Sequence, residues 1–324
     1  MKSVLMLNTA VGSLNQGDEI INRSIRTNWR ELFERNYIME MATHTPMYTT
    51  LQSMLYRKKL SIFKEADYKF LCGTNLLYTN MLRPLPSWNI NYFNCGLATG
   101  SICLGVGIGE NSSHVNLYTR ALYQKTLSHD YVHSARDEKT KRFLETLGFE
   151  AVNTGCPTLW GLTSEHCGKI PAEKADSVVF TLTYYDRDPI NDKIMISILK
   201  RNYSAIYFWP QCYADLEYLA ALGYRDEVKV IPPNVEQFSN VLKADIDYVG
   251  SRLHGGIFAM QHFDRAIILA IDYRAREMSK TYSFTCMERT EVADRLEECI
   301  GQSWNTKVTG IDQHLIAEWK KQFA

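Results

Sequence analysis

The feature that most constrains the fold is a strand that turns through glycines into a helix, over residues 246–263. Residues 246–249 form an apolar run typical of a buried strand, and 257–263 are predicted to be helical. The turn between them contains three glycines, Gly250, Gly255 and Gly256. The start of a helix leaves backbone N–H groups unpaired and carries the positive end of the helix dipole. A junction of this kind therefore predicts a binding site for an anion.

Two side chains in this turn could act on such an anion. Arg252 can form paired hydrogen bonds with a phosphate or a carboxylate, and His254 can transfer a proton near neutral pH. Residue types alone leave a second interpretation open, in which the turn is structural, the arginine is solvated and the histidine is hydrogen-bonded.

Strands alternate with helices along the rest of the chain, which predicts parallel sheets with right-handed crossovers. The polar stretch 168–176 carries a proline and has no hydrophobic period, so it divides the pattern in two. We therefore expect an α/β protein with two Rossmann-like lobes, residues 1–170 and residues 177–310, whose parallel sheets face each other across a cleft. An amphipathic helix within residues 311–324 is expected to pack across one of the lobes.

Composition excludes several classes of function. Lys plus Arg and Asp plus Glu both number 36, so no global positive field exists to hold nucleic acid. The N-terminal apolar run is too short for a signal peptide, and no run is long enough to predict a transmembrane segment. The eight cysteines form no CxxC pairs, which favours reduced thiols in a cytoplasmic protein. Cysteines and histidines lack the spacing of a ligand set, so we expect no metal site.

Polar side chains also follow strands of the first lobe. Asn8, Asn15 and Asp18 come after the first strand, and Arg136 follows a later one. Open α/β sheets bind ligands at the carboxyl ends of their strands, so these residues are candidates for the same cleft. Asp18 is predicted to lie at or near the N-cap of the first helix, and capping alone would also explain it. A surface salt bridge with a neighbouring carboxylate would likewise explain Arg136.

In the second lobe, Tyr184 and Tyr185 follow a strand and could offer an aromatic face to a sugar ring. Packing at the interface between the lobes is the alternative. In the first lobe, the run Gly105–Gly109 has GxGxG and not GxGxxG spacing, so tight backbone packing is a better interpretation than a dinucleotide site.

Five segments, in this order along the chain, carry a resemblance to a known family. They are Asn15-Gln16-Gly17-Asp18-Glu19, residues 66–77, Gly105–Gly109, Arg136-Asp137-Glu138 with its helix to Gly148, and Ser251-Arg252-Leu253-His254 with the strand that follows. The last two are the most specific. Together the segments resemble the polysaccharide pyruvyltransferase family. The sequence departs from the family pattern at Gly73-Thr74-Asn75, where a longer glycine run is usual, and after Tyr273, where Arg274 and Arg276 replace a single lysine.

The resemblance implies a GT-B-like fold and the transfer of pyruvate from phosphoenolpyruvate to a sugar, usually as a ketal on two hydroxyls. The sugar would belong to a glycan or to its lipid-linked precursor. Phosphoenolpyruvate is then a co-substrate, and neither a cofactor nor a metal is expected. A lipid-linked acceptor would bring this cytoplasmic enzyme to the inner face of the membrane. The sequence does not determine the oligomeric state.

With this chemistry, each candidate residue receives a predicted role. The catalytic residues are His254, as proton donor and phosphate partner, and Asp18, which orients or deprotonates the acceptor hydroxyl. The residues predicted to bind phosphoenolpyruvate are Arg252, Arg136, Ser251 and Gly255. The residues predicted to bind the acceptor are Asn8, Asn15 and Tyr184. Two alternatives stay open: a GT-B sugar-nucleotide glycosyltransferase, and a catalytically silent relative that binds glycans.

Overall fold

The computed structural model of the protein describes residues 1–109 and 114–324. Its strands are β1 (Ser3–Asn8), β2 (Tyr37–Ala42), β3 (Tyr68–Cys72), β4 (Asn75–Leu77), β5 (Ser101–Leu104), β6 (Gly107–Ile108), β7 (His133–Ala135), β8 (Ala151–Asn153), β9 (Ser177–Thr181), β10 (Ala205–Phe208), β11 (Lys229–Val230), β12 (Ile246–Gly250), β13 (Ala266–Ala270) and β14 (Cys286–Glu288).

Its α-helices are α1 (Gln16–Asn28), α2 (Arg30–Arg35), α3 (Thr50–Leu55), α4 (Arg57–Lys64), α5 (Leu117–Thr126), α6 (Glu138–Thr146), α7 (Ser164–Cys167), α8 (Pro189–Asn202), α9 (Tyr213–Leu222), α10 (Val235–Val241), α11 (Leu253–Gln261), α12 (Tyr273–Tyr282), α13 (Val292–Gly301) and α14 (Gln313–Lys321). Among the described residues, no helix is long and apolar enough to cross a membrane.

The chain forms two compact units. The first unit contains Met1–Ser13, Ile21–Trp160 and Asp312–Ala324, and the second contains Leu14–Ile20 and Gly161–Ile311. Leu14–Ile20, which includes the first turn of α1, therefore packs with the second unit although it lies near the N-terminus.

The first unit is built on a parallel sheet with the strand order β2-β1-β3-β5. Two smaller parallel pairs, β4–β6 and β7–β8, extend this unit. β3 is buried at every position, as in a strand covered on both faces, and its one charged residue, Lys69, donates from Nζ to the Lys64 and Thr99 carbonyls. Strand order reverses direction between β1 and β3, and ligands of open α/β sheets bind at such a switch point. Asn8 ends β1, and Asn75 follows β3 closely.

The C-terminal helix α14 completes the first unit through aromatic contacts. The Trp319 ring lies edge-on to Trp29, with centroids 5.4 Å apart, and the Phe323 ring lies edge-on to Phe70 at 5.0 Å. Trp319 Nε1 also donates a hydrogen bond to the Val132 carbonyl at 2.6 Å. These rings are large and buried, so they contribute much of the apolar area that holds this helix in place.

The second unit contains a six-stranded sheet in the order β11-β10-β9-β12-β13-β14, with every pair parallel. Counted within this unit, that is the 3-2-1-4-5-6 order of doubly wound nucleotide-binding folds. The predicted α/β class with parallel, Rossmann-like sheets is confirmed. The switch point of this sheet lies between β9 and β12, so Thr181 and Gly250 end the two strands that flank it.

The structure corrects the predicted turn after β12. α11 begins at Leu253 and not at Ile257, so Gly255 and Gly256 lie inside the helix. A Cβ at Gly255 would lie 2.9 Å from Tyr248 Oη, and one at Gly256 would lie 2.6 Å from Ile268 Cγ1. These glycines therefore let α11 pack closely on β12 and β13, and they are not needed to reverse the chain.

Candidate functional site

The turn that follows β12 is held by a buried hydrogen-bond network. Tyr248 Oη donates to the Arg252 carbonyl at 2.7 Å, so the Thr181 hydroxyl must donate to Tyr248 Oη, 2.6 Å away. Thr181 Oγ1 in turn accepts from the Arg252 backbone N–H at 3.2 Å. A Cβ at Gly250 would lie 2.7 Å from the Thr181 backbone nitrogen, so only glycine fits there. The network fixes the backbone that carries Arg252 at the switch point.

The Arg252 side chain is buried and forms an ion pair within the second unit. Its Nε donates to Asp215 Oδ2 at 3.1 Å and also contacts the Leu182 carbonyl at 3.1 Å, and its Nη2 donates to Asp215 Oδ1. Among the described residues Nη1 forms no hydrogen bond. Two of the three guanidinium nitrogens are thus engaged with the protein, which differs from the solvated or ligand-facing fork that the sequence suggests. Its predicted role toward phosphoenolpyruvate stays a prediction.

Asp215 is a fully buried carboxylate that joins three segments of the second unit. Besides Arg252, it accepts hydrogen bonds from the backbone N–H groups of Tyr184 and Cys212, each at 3.0 Å. Burial raises the pKa of Asp215, and the Arg252 guanidinium opposes that shift. The carboxylate therefore positions both the loop after β9 and the start of α9 around the arginine.

The start of α11 presents backbone donors at the switch point. The Arg252 side chain does not cap this helix, and the N–H groups of Leu253 and Gly255 donate to no acceptor in the described part of the chain. Beside them, the Ser251 hydroxyl lies 2.9 Å from the Thr183 hydroxyl. Uncapped N–H groups at a helix start attract an anion. Anion binding is the role that the sequence predicts for Ser251 and Gly255, and it stays a prediction.

His254 lies in the first turn of α11 and is buried. It faces Gly17, since a Cβ built there would lie 3.2 Å from His254 Nδ1 and 2.8 Å from Gln211 Nε2. Gln211 Nε2 donates to Asn15 Oδ1 at 2.7 Å, and the Gln211 carbonyl accepts from the Gln16 N–H at 2.8 Å. The first turn of α1 is thus held against the histidine by Gln211.

The positions of Asn15 and Asp18 differ from the sequence-based assignment. Both lie in the segment that packs with the second unit, the unit of His254, and not with the first. Asn15 caps α1, because its Oδ1 accepts from the Gly17 N–H at 3.0 Å, and Asp18 is the third residue of the helix. Asp18 is buried and its backbone N–H donates to the Asn15 carbonyl at 3.1 Å.

The remaining predicted residues of the first lobe lie in the first unit. Asn8 is buried at the end of β1, where its Oδ1 accepts from the Ala10 N–H at 2.7 Å. Arg136 is buried, and its Nη2 donates to Asn75 Oδ1 at 2.6 Å and lies 3.6 Å from Asp137 Oδ2. The Arg136 guanidinium passes directly over Gly107, where a Cβ would clash with it. The ion pair with Asp137 is the contact that the alternative interpretation expected, although the arginine that forms it is buried and does not lie on the surface.

Tyr184 and Tyr185 form an aromatic pair at the end of β9. Their rings are perpendicular, with centroids 5.5 Å apart, and both are partly exposed. The Arg252 guanidinium lies 5.0 Å from the Tyr185 centroid and 5.9 Å from that of Tyr184. The pair therefore covers the arginine on one side, and an exposed ring face at this position could contact a sugar.

Two positioning residues, Asp215 and Gln211, were not identified from the sequence. Both follow β10, and an Asp three residues after Cys212 at the start of a predicted helix is a capping pattern that could have drawn attention to Asp215. Nothing in the local sequence marks Gln211. Its Oε1 is buried and accepts no hydrogen bond from the described residues.

The histidines outside the site have structural contacts. His133 Nδ1 accepts from the Cys103 N–H at 3.0 Å, so its proton is on Nε2, which donates to the Ser128 carbonyl at 3.0 Å. Burial lowers the pKa of His133 to about 4. Within residues 1–109 and 114–324, no three His, Cys, Asp or Glu side chains come together as metal ligands.

Solved structures define the class of fold. The chain is similar to S. aureus MnaA solved with UDP, with a TM-score of 0.56 and 11% identity over 100% of this chain and 97% of that one. It is also similar to Methanocaldococcus jannaschii UDP-GlcNAc 2-epimerase in complex with UDP-GlcNAc and UDP, with a TM-score of 0.52 and 12% identity over 98% of both chains. A putative UDP-N-acetylglucosamine 2-epimerase from Listeria monocytogenes gives a TM-score of 0.51 and 11% identity, over 100% of this chain and 97% of that one. At such identities the likeness shows the fold, which is that of GT-B-like sugar-nucleotide enzymes.

The sequence defines the family within that fold. The profile of the polysaccharide pyruvyl transferase family matches residues 15–273, which is most of the chain. The protein therefore belongs to the polysaccharide pyruvyl transferase family, as its motifs indicate. No curated protein matches the chain in sequence. The family match begins at Asn15 and ends at Tyr273, so it includes the α1 turn, Arg136 and the Arg252–His254 segment.

Proposed function

We propose that this protein transfers pyruvate from phosphoenolpyruvate to two hydroxyls of one sugar, forming a cyclic ketal on a polysaccharide or its lipid-linked precursor. Membership of the family supports a transferase that acts on a polysaccharide. The observation that carries the proposal is the position of His254, in the first turn of α11 beside uncapped backbone donors and against the α1 turn. Few reactions need an anion site, a proton donor and a hydroxyl-binding carboxylate together.

The reaction balances without a metal or a redox partner. A proton adds to the methylene carbon C3 of phosphoenolpyruvate while one sugar hydroxyl adds to C2 and loses its proton. The second sugar hydroxyl then attacks C2, the bond from C2 to the phosphate oxygen breaks, and the second hydroxyl proton is released. The products are the ketal, with a new methyl group, and inorganic phosphate.

The donor carries a phosphate and a carboxylate, and the start of α11 suits one of them. We assign the N–H groups of Leu253 and Gly255, with the Ser251 hydroxyl, to this anion. Arg252 supplies positive charge behind them, although Asp215 neutralises part of it. Hydrogen bonds from fixed donors stabilise a negative charge more in a site that excludes water than in solution. Removing one such donor typically costs about 100-fold to 1,000-fold in rate.

His254 is the proposed proton donor to C3, since imidazolium is a competent acid near neutral pH. Asp18, three residues after Asn15 in the turn that faces His254, is proposed to orient or deprotonate the acceptor hydroxyl. Asn15 and Tyr184 are proposed to contact the acceptor. In the first unit, Arg136 is proposed to bind the donor, and Asn8 to bind the acceptor.

The experiment measures phosphate release from phosphoenolpyruvate with a panel of galactosyl, glucosyl and N-acetylmannosaminyl acceptors, followed by mass analysis of the product. We expect release that depends on the acceptor and a product heavier by one pyruvate ketal. His254→Asn should lose about 100-fold to 10,000-fold in kcat, the range for a general acid. His262→Asn is the matched control, because His262 ends the same helix and bonds to Ser239 and Phe258. Near-normal turnover by His254→Asn would refute the assignment.

A sugar-nucleotide glycosyltransferase is the second candidate, favoured by the likeness to enzymes solved with UDP and UDP-GlcNAc. It predicts binding and turnover of a UDP-sugar, and no phosphate release from phosphoenolpyruvate. A nucleotide-sugar control run beside the first assay distinguishes the two. Binding of a glycan with turnover of neither donor would instead identify a catalytically silent relative.

A further inference from the structure

The charge of residues 41–109 is strongly one-sided, although the whole chain is balanced with 36 basic and 36 acidic residues. The only acidic residues in this stretch are Glu65 and Asp67. The charge of Asp67 is offset by a cation outside the stretch, since its Oδ1 lies 3.6 Å from Lys2 Nζ. Among the side chains of this stretch that the structure describes, four basic ones are exposed: Lys58, Lys59, Lys64 and Arg83. This part of the first unit therefore presents positive charge to solvent.

The stretch also exposes large apolar side chains. On α3 and α4, Leu51 and Leu55 are 65% and 69% exposed, and Tyr56 and Ile62 are about half exposed. In the loop after β4, Leu85 and Phe93 are 87% and 80% exposed. Single exposed apolar residues are ordinary, but a group of this size within so short a stretch marks a surface that contacts something.

Backbone and core contacts tie these two segments to the same part of the first unit. The Asn89 backbone N–H donates to the Thr43 carbonyl at 2.7 Å. Met47 and Phe63 pack against the core cluster that contains Trp88. The segment with α3 and α4 and the loop around residues 80–94 thus pack on the same core cluster, and we refer to the two segments together as one layer of the first unit.

We infer that this layer forms a membrane-binding surface for anionic lipid, made by Leu51, Leu55, Lys58, Lys59, Leu85 and Phe93. Leucine and phenylalanine can enter the boundary between headgroups and acyl chains, while the lysine stems keep their ammonium groups at the headgroups. A nucleic acid would not need the exposed leucines. A second copy of this surface would bring lysines together with few carboxylates to pair with them. An anionic bilayer satisfies both the apolar and the basic side chains.

The test is co-sedimentation of the full chain with phosphatidylcholine vesicles, with and without about one third phosphatidylglycerol. We expect binding that requires the anionic lipid and weakens with salt. Lys58→Gln with Lys59→Gln should weaken binding roughly 25-fold, because each lysine near an anionic surface contributes about fivefold. Leu51→Ser with Leu55→Ser should also reduce binding, and this loss should persist at high salt because it does not depend on charge.

The control variant is Ile190→Ser with Lys193→Gln, which changes an exposed apolar and an exposed basic residue on α8 of the second unit. It should bind vesicles as the unchanged protein does. Failure of the unchanged protein to bind anionic vesicles would overturn the inference. So would a concentration-dependent dimer in gel filtration that the Leu51→Ser, Leu55→Ser variant abolishes, since the surface would then join two copies. Turnover of a water-soluble acceptor should be unchanged in these variants, which separates this inference from the proposed reaction.

Discussion

Arg252 and Asp215 form a buried ion pair in which Nε and Nη2 of the arginine donate to the two carboxylate oxygens. Neither side chain is more than 3% exposed. The pair lies beside the first turn of α11, so it affects both the charge and the geometry of the anion site that we propose there. Its carboxylate also holds Tyr184, which connects the arginine to the loop after β9. We therefore assign Asp215 as a positioning residue that acts through Arg252.

Asp215→Ala should be strongly destabilising, because it leaves a buried guanidinium without its partner. Breaking such a pair from one side costs about 3 to 5 kcal/mol. Glu297→Ala is the control, since Glu297 pairs with Arg201 in an exposed position and such pairs contribute about 1 kcal/mol or less. The free energy of unfolding from denaturant titration measures both. Equal losses in the two variants would contradict the buried-pair interpretation.

Gly17→Ala should reduce kcat while leaving most of the stability intact. The new methyl group would lie 2.8 Å from Gln211 Nε2 and 3.2 Å from His254 Nδ1, so one of these side chains must move. A small displacement of a proton donor can cost about 100-fold in rate. Gly301→Ala is the matched control, because nothing lies within 4 Å of a Cβ there. For both variants, kcat measures the effect on the reaction and Tm measures the effect on stability. A Gly17→Ala enzyme with normal kcat would exclude a catalytic role for the contact between Gly17 and His254.

Much of the second unit could be predicted from its sequence. The sequence predicted strands before Tyr184, at residues 246–249 and after His254, and β9, β12 and β13 lie there, because strands of a parallel sheet that are buried on both faces are mostly apolar. In the first unit, α6 was also predicted well, since Gly148 follows it with a left-handed φ of 89°. The start of α11 was predicted wrongly. Gly255 and Gly256 were interpreted as turn residues, whereas their small size serves helix packing.

The site was harder to predict, because its contacts join residues that are distant in the chain. Gln211 bonds to Asn15, 196 positions away, and Asp215 bonds to Arg252, 37 positions away. Local patterns reveal strand ends and helix caps, but they do not reveal which side chains meet. This also explains why the sequence placed Asn15 and Asp18 with the N-terminal lobe. Their position in the chain suggested it, whereas the bonds to Gln211 attach this turn to the second unit.

Trp319→Ala should destabilise the first unit, because it removes a buried ring that contacts Trp29 and Phe323 and a hydrogen bond to the Val132 carbonyl. Replacing a large buried aromatic residue by Ala costs about 3 to 5 kcal/mol. Trp319→Phe keeps a ring and loses the bond, so its loss should be smaller. His314→Ala, on the exposed side of the same helix, should change stability by less than about 0.5 kcal/mol. Thermal unfolding should show the largest loss of stability for Trp319→Ala, a smaller loss for Trp319→Phe and the smallest for His314→Ala. Any other order would contradict the packing of Trp319.

Asp264 should make the protein less stable as the pH rises from about 4 to 8. Burial, with Asp245 and Asp247 nearby, raises the pKa of Asp264 to about 8, and its Oδ2 has no hydrogen-bond partner among the described residues. In this window the native carboxyl holds a proton that the unfolded chain has released, so each added pH unit lowers the free energy of unfolding by up to about 1.4 kcal/mol.

Asp264→Asn should remove this pH dependence, because the amide resembles the neutral carboxyl at every pH. The variant should be more stable than the unchanged protein at both pH 5 and pH 8.5, and its advantage should be several kcal/mol larger at pH 8.5, because nearly the whole titration window lies between these two pH values. Asp226→Asn changes an exposed aspartate of the same unit, so it should keep the original slope. Denaturant titrations at the two pH values measure all three proteins. A slope that survives in Asp264→Asn would assign the pH dependence to another group.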